Sequence, residues 1–337
     1  MNFKNKVAIL VSSLLFFLSG CSEKHYFKPD SIKGYIQYDG ELPAKIVKVG
    51  FAGATLKNNQ VITQKGLQNY HLPKGYRFIN SYDNLVVATG DCKPNIIYDK
   101  EKQEITKLNL KRRIVAAMFI PKTTKLTFVL EGNSYGIYDF KEHKIVSRYQ
   151  SDRAVSADIR IANPMMLIDL VLIPTIDGKL VVLNKKDGKK VREIVVGKGD
   201  NFNNIIFLKV IGDRLVAATS HRIISINPKI MNSLNIEISD VVFAEDSIYI
   251  LSKDGVIYLC NESLKILAKK RLPFAHFVGV IYGESIYVVE KEGYIIALDL
   301  NLKDANIFKL PNKIDNWFYS TKDTLYYEKY FFKLHQR

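Results

Sequence analysis

Beyond residue 30 the chain alternates short apolar runs with polar turns, and no stretch keeps apolar residues at helical spacing for a useful length. Runs at 179–183, 214–218, 247–251, 256–259, 285–289 and 294–298 are rich in Ile, Val, Leu and Tyr. Gly, Asn or Asp bounds them, so they read as strands. One strand after another ends in Asp or Asn: Ile97-Tyr98-Asp99, Ile137-Tyr138-Asp139, Val182-Leu183-Asn184, Ser225-Ile226-Asn227, Leu259-Cys260-Asn261 and Ala297-Leu298-Asp299. Thr55-Leu56-Lys57-Asn58 precedes this series and Phe332-Lys333-Leu334-His335 ends it, with steps of 34 to 45 residues between anchors. The residue type suits the position, because Asp and Asn bond the backbone two residues on and so start turns.

A unit of about 40 residues with four strands is the period of a β-propeller blade. Such a small sheet cannot bury both faces alone, so blades stack around an axis. Eight anchors predict an all-β fold of about eight four-stranded blades. The last unit stops at its third strand, and an N-terminal strand around 34–38 is expected to complete it and close the ring, which removes exposed edges. If 61–65 were the closing strand instead, the ring would have seven blades. A pair of β-sandwiches is the rival architecture, but sandwiches rarely keep so regular a period.

The first twenty-one residues carry a different signal. Lys4 and Lys6 precede a nearly unbroken apolar run from Val7 to Leu18, which leads into Ser19-Gly20-Cys21. The run is too short for a permanent membrane span, which needs about 20 residues, and fits a secretory leader. The cysteine at the cleavage point resembles the lipobox of bacterial lipoproteins. That resemblance implies a signal peptide at 1–20, diacylglycerol on the Cys21 sulfur and acyl chains such as palmitate at the new N-terminus. Residues 21–30 would then be a lipidated tether and 31–337 a single propeller domain. Ser22 stands where an Asp would signal inner-membrane retention in some bacteria, so the resemblance favours an outer-membrane anchor.

The unit from Thr175 to Lys189 (TIDGKLVVLNKKDGK) resembles the pyrroloquinoline-quinone-type repeat, as do 252–263 and 290–301. The tryptophan that closes many such repeats is missing, for this chain has only Trp317. Quinone dehydrogenases also carry adjacent paired cysteines and tryptophan-rich blades, which are absent here, so the repeat reads as scaffold and no cofactor is expected.

The formal charge of +15 is spread along the chain, mostly as lysine in turns, and loss of Lys4 and Lys6 with the leader would lower it by two. No long basic block or aromatic-interleaved basic motif appears, so nucleic acid is not an expected partner. Cys92 and Cys260 fall in well-separated blades and are expected to be unpaired, with Cys260 a small core residue. No G-x-S-x-G, H-E-x-x-H, phosphate-binding loop or CxxC occurs, and the six histidines lie singly, so neither a catalytic set nor a metal site is predicted.

What remains is surface. Loops from fourth strand to next first strand, and from second to third, share one propeller face, which would carry Lys74, Arg112, Arg113, Arg153, Arg160, His221 and Arg222. Arginine recognises carboxylates and is enriched at interfaces. Arg112, Arg113, Arg153, Arg160 and Arg222 are therefore the predicted partner-binding residues. A lipid-anchored propeller with these repeats resembles the propeller lipoprotein of the outer-membrane β-barrel assembly machine. The resemblance implies a non-catalytic scaffold that faces the periplasm, is monomeric outside its complex, holds an envelope protein and assists outer-membrane protein assembly. The alternative is a surface-exposed adhesin that binds a host ligand or polyanion. An envelope hydrolase or lyase with a site in the channel mouth is a third reading.

Overall fold

The computed structural model describes residues 25–152, 154, 160–197 and 203–334. Cys21, Arg153 and His335 therefore lie outside the described residues. All regular elements among the described residues are strands, and they form eight sheets arranged as propeller blades. Blades 1 to 7 are antiparallel units of four consecutive strands at 46–71, 76–108, 114–150, 165–195, 207–235, 238–271 and 277–309. Blade 8 takes three strands from 318–333 and its fourth from Gly40–Glu41.

The predicted anchors act as turn starters. Asp99, Asp139, Asn184, Asn227, Asn261 and Asp299 each accept the N–H two residues on, at 2.8 to 3.4 Å. These six stand at or beside the end of the third strand of blades 2 to 7. Asn58 behaves differently. Its Oδ1 accepts the Gln60 N–H at 3.1 Å, but this turn joins the second and third strands of blade 1. The anchor expected at Asn58 thus marks another turn of the same chemistry.

The closing strand also differs from its expected residues. Gly40 pairs with Phe331 and Glu41 with Tyr330, antiparallel, while Gly34–Tyr35 adds in parallel to the fourth strand of blade 7. Residues 61–65 are no closing strand either, since Gln60–Thr63 is the third strand of blade 1. The segment between the two N-terminal strands bridges blades 7 and 8. Ile36 is buried in the seam, Tyr38 stacks on Tyr330 at 4.4 Å, and the Lys333 N–H donates to Asp39 Oδ2 at 2.6 Å. The four residues 36–39 decide the match, because Phe331 and Tyr330 lie within reach of 40–41 only once the chain has crossed from blade 7.

Among the described residues eight apolar clusters hold the ring, one for each seam between neighbouring blades. Side chains of the middle strands divide between two seams, since successive residues of a strand point to opposite faces. Val86 packs toward blade 1 and Val87 toward blade 3. Middle strands therefore read as unbroken apolar runs, whereas the outer strands Gly66–His71 and Ile266–Arg271 alternate half-buried with exposed. The seam between blades 8 and 1 is filled by Leu42, Ile46, Leu56, Ile62 and Tyr319, so the ring is closed by packing as well as by pairing.

Residues 25–30, expected within a tether, lie on the propeller. Phe27 is 5% exposed in the seam of blades 6 and 7 and meets Tyr294 edge-on at 5.5 Å. His25 lies against Phe274 at 4.9 Å, and Lys313 sits over the Tyr26 ring. The segment is polar in composition, but two aromatics at 26 and 27 are enough to dock residues 25–30.

Candidate functional site

The loop face is built from a repeated turn. At the end of the second strand a Ser or Thr hydroxyl accepts a backbone N–H from across the turn. Thr175 Oγ1 takes the Lys179 N–H at 2.9 Å and Ser252 Oγ takes the Val256 N–H at 3.0 Å. Glycine follows at 178 and 255 with φ of +81° and +79°, a conformation that L side chains rarely adopt. Blade 7 places Glu290 at the hydroxyl position. Its fully buried carboxylate accepts the N–H groups of Glu292 at 2.7 Å and His276 at 3.2 Å. Burial raises its pKa to about 7 despite those two bonds.

Charged side chains on this face mostly answer one another across the seams. Arg113 donates to both oxygens of Glu131, at 2.7 and 3.0 Å, and to Asp91 at 2.6 Å. The hydrogen bond from Arg113 holds Glu131 and Asp91 below the usual carboxylate range. Lys179 pairs with Asp152 at 2.8 Å, Glu237 with both His221 and Lys253, and Lys313 with Glu292.

The five predicted arginines are thus distributed as follows. Arg112 and Arg113 come together at the seam of blades 2 and 3, near Arg77, whose Nη2 is 4.0 Å from Asp91. Arg113 is committed to its acids. Arg112 is exposed, lies over Gly132, and has no carboxylate within ion-pair distance among the described residues. Arg160 turns toward the channel, donating to Ser239 O at 3.0 Å and standing 4.0 Å from Asp240. Arg222 starts the third strand of blade 5 and donates to Ser233 Oγ at 3.0 Å, with its Nε buried and unpartnered. Arg153 lies outside the described residues. Lys74 reaches the same face, its carbonyl accepting from Lys93 Nζ.

Sequence reading missed Trp317 on this face, 41% exposed, beside the central cavity. A lone tryptophan in a polar linker (Asp315-Asn316-Trp317) was the available signal. Cys92 and Cys260 are free, and burial pushes the Cys260 thiol up to about 11. Among the described residues no group of three or more His, Cys, Asp or Glu side chains is placed to hold a metal ion.

No protein-family model matches the chain. The chain is 28% identical over 385 aligned positions to plasminogen-binding protein PgbB of Helicobacter pylori strain J99, covering 97% of this chain and 71% of that protein. The same protein from strain 26695 is 28% identical over 382 positions. Among solved structures, BamB from Moraxella catarrhalis superposes with a TM-score of 0.64 at 16% identity, covering 84% of this chain and 92% of that one. The C-terminal WD40 domain of Sif2 gives 0.61 at 12% identity, covering 89% and 97%. The designed protein Ika8 gives 0.60 at 10%, covering 89% and 99%. At these identities the shared property is the propeller fold, the architecture expected from the sequence.

Proposed function

We propose that this chain is a non-catalytic, protein-binding propeller of the cell envelope whose partner is a host protein, with plasminogen the first to test. The observation that carries the proposal is the similarity to two proteins named for plasminogen binding, which runs over 97% of the chain. The loop face supplies suitable chemistry. Arg112 and Trp317 belong to the residue types that dominate interface energetics, and paired charges stand at several seams of the same face. Cys21 is the proposed lipid anchor.

The test is binding of the detergent-solubilised full chain to immobilised plasminogen by interferometry. Saturable binding that weakens with salt is expected, and Arg112→Glu should weaken it by about tenfold, as reversal of a steering charge does. Absence of binding overturns the reading. Metabolic labelling with palmitate tests the anchor separately: the wild-type chain should be labelled and Cys21→Ala should not.

A second reading is favoured by the superposition on BamB. In it the same face holds a component of the outer-membrane assembly machine, as the sequence resemblance implies. Crosslinking in intact membranes that recovers the barrel-assembly protein, with no plasminogen binding in vitro, is the result that would select it.

A further inference from the structure

The axis of the ring holds a cavity of about 1070 Å³. Inner strands of six blades line it, with Val49, Asn80, Lys209, Asp240, Val280 and Phe318 each contributed by a different blade. The lining includes four cationic side chains, Lys65, Lys100, Arg160 and Lys209, against two acidic ones, Asp83 and Asp240.

These charges are not equally answered. Asp240 accepts the N–H groups of Val280 and Val241, both at 3.0 Å, and faces the Arg160 guanidinium at 4.0 Å. Lys100 rests over the Tyr70 ring. Lys209, on the inner strand of blade 5, stands 4.3 Å over the Phe243 ring. It has no carboxylate within ion-pair distance among the described residues, and burial lowers its pKa. A cation withdrawn from water is costly unless a counter-charge compensates it. The stacked ring compensates only in part.

Phe207 stands two residues before Lys209 on the same inner strand, on the same side of it, and Phe243, Trp317 and Phe318 line the same cavity. The Phe318 ring is packed over Gly279, where a Cβ would come within 2.7 Å of it. The wall as a whole mixes polar and apolar groups, and a cavity of about this size can enclose a small ligand.

We infer that the central channel is a binding site for a small aromatic monoanion, whose carboxylate or sulfonate meets the Lys209 ammonium while its rings lie against Phe207 and Phe243. The cavity shares Arg160 and Trp317 with the loop face, but the inference rests on Lys209 and does not depend on partner binding at that face.

Trp317, the single tryptophan of the chain, reports on the cavity directly. The probe is anilinonaphthalenesulfonate, compared with phenylnaphthylamine, which has the same rings and no anionic group. On the full chain, Trp317 quenching by the anionic probe should saturate at one equivalent. Lys209→Met should weaken that probe by about tenfold, the usual weight of a charge-assisted contact, and leave the neutral probe within about twofold. Lys209→Arg should retain binding of the anion. Unchanged anion affinity in Lys209→Met, equal loss of both probes, or the absence of saturable quenching overturns the inference. Lys209→Gln, which keeps a polar tip, serves the same comparison if the Met variant does not fold.

Discussion

Glu290 shows how one residue substitution inside a repeated turn changes the chemistry of the turn. Where blades 4 and 6 use a hydroxyl, blade 7 uses a buried carboxylate that has to accept two N–H groups. Its folded pKa of about 7 lies above the ordinary value of 4.5. The raised value means that the folded state binds the proton more tightly than the unfolded chain. The resulting stabilisation is fully present below pH 4.5 and is lost as pH rises through about 7. The shift corresponds to about 3 kcal/mol. Glu290→Gln should therefore flatten the dependence of unfolding free energy on pH between 4.5 and 7, measured by urea denaturation of both proteins across that range. Arg112 and Arg113 separate in the same way on local grounds. Arg113→Ala breaks contacts to two acids and should lower stability by about 1 kcal/mol, whereas Arg112→Ala should leave it nearly unchanged. Thermal melts of the two variants check the contrast. Sequence placed both arginines on the loop face. It could not tell them apart, because Asp91 and Glu131 reach Arg113 from loops 22 and 18 residues away.

Strands and turns follow local rules wherever a turn closes on itself. The Asp and Asn anchors of blades 2 to 7 bond within their own turn, so their role was legible from residue type and spacing. The N-terminal arm obeys no such rule. Its two short pairings, at 34–35 and 40–41, involve strands more than 250 residues away, and neither has a local signature. Phe27 is the arm's apolar anchor in the seam of blades 6 and 7. Phe27→Ala should weaken docking by about 3 kcal/mol, the low end of the cost of a buried phenylalanine. Hydrogen exchange is then expected to rise over residues 25–38 while the blade interiors stay protected. Equal protection in the two proteins would show that the pairing at 34–35 suffices to hold the arm.

At the scale of the molecule, every seam is closed by an apolar cluster, and among the described residues each of these clusters draws on two neighbouring blades. Each blade is stabilised mainly by its two neighbours, as in other stacked repeats, but closure links the last blade to the first. One cooperative unfolding transition is therefore expected. Leu325→Ala should test this, since Leu325 is fully buried between blades 7 and 8. It should lower the midpoint of the whole transition, at a cost of about 2–5 kcal/mol, detected equally by far-UV circular dichroism and by Trp317 fluorescence. Separate transitions from the two probes would mean that blade 8 opens independently.

The amino-acid sequence by itself determined the strand pattern, the turn chemistry, the blade repeat and hence the all-β propeller. These depend on interactions within a few residues and on a period that recurs around the ring. Tertiary structure decided which N-terminal residues close the ring, where the arm docks, which arginine is free to meet a partner, and that Lys209 stands over Phe243 in the channel. Arg160 meets Ser239 across 79 residues, and Asp240 meets Val280 across 40. Such contacts arise only when whole blades are packed side by side, so no local spacing announces them.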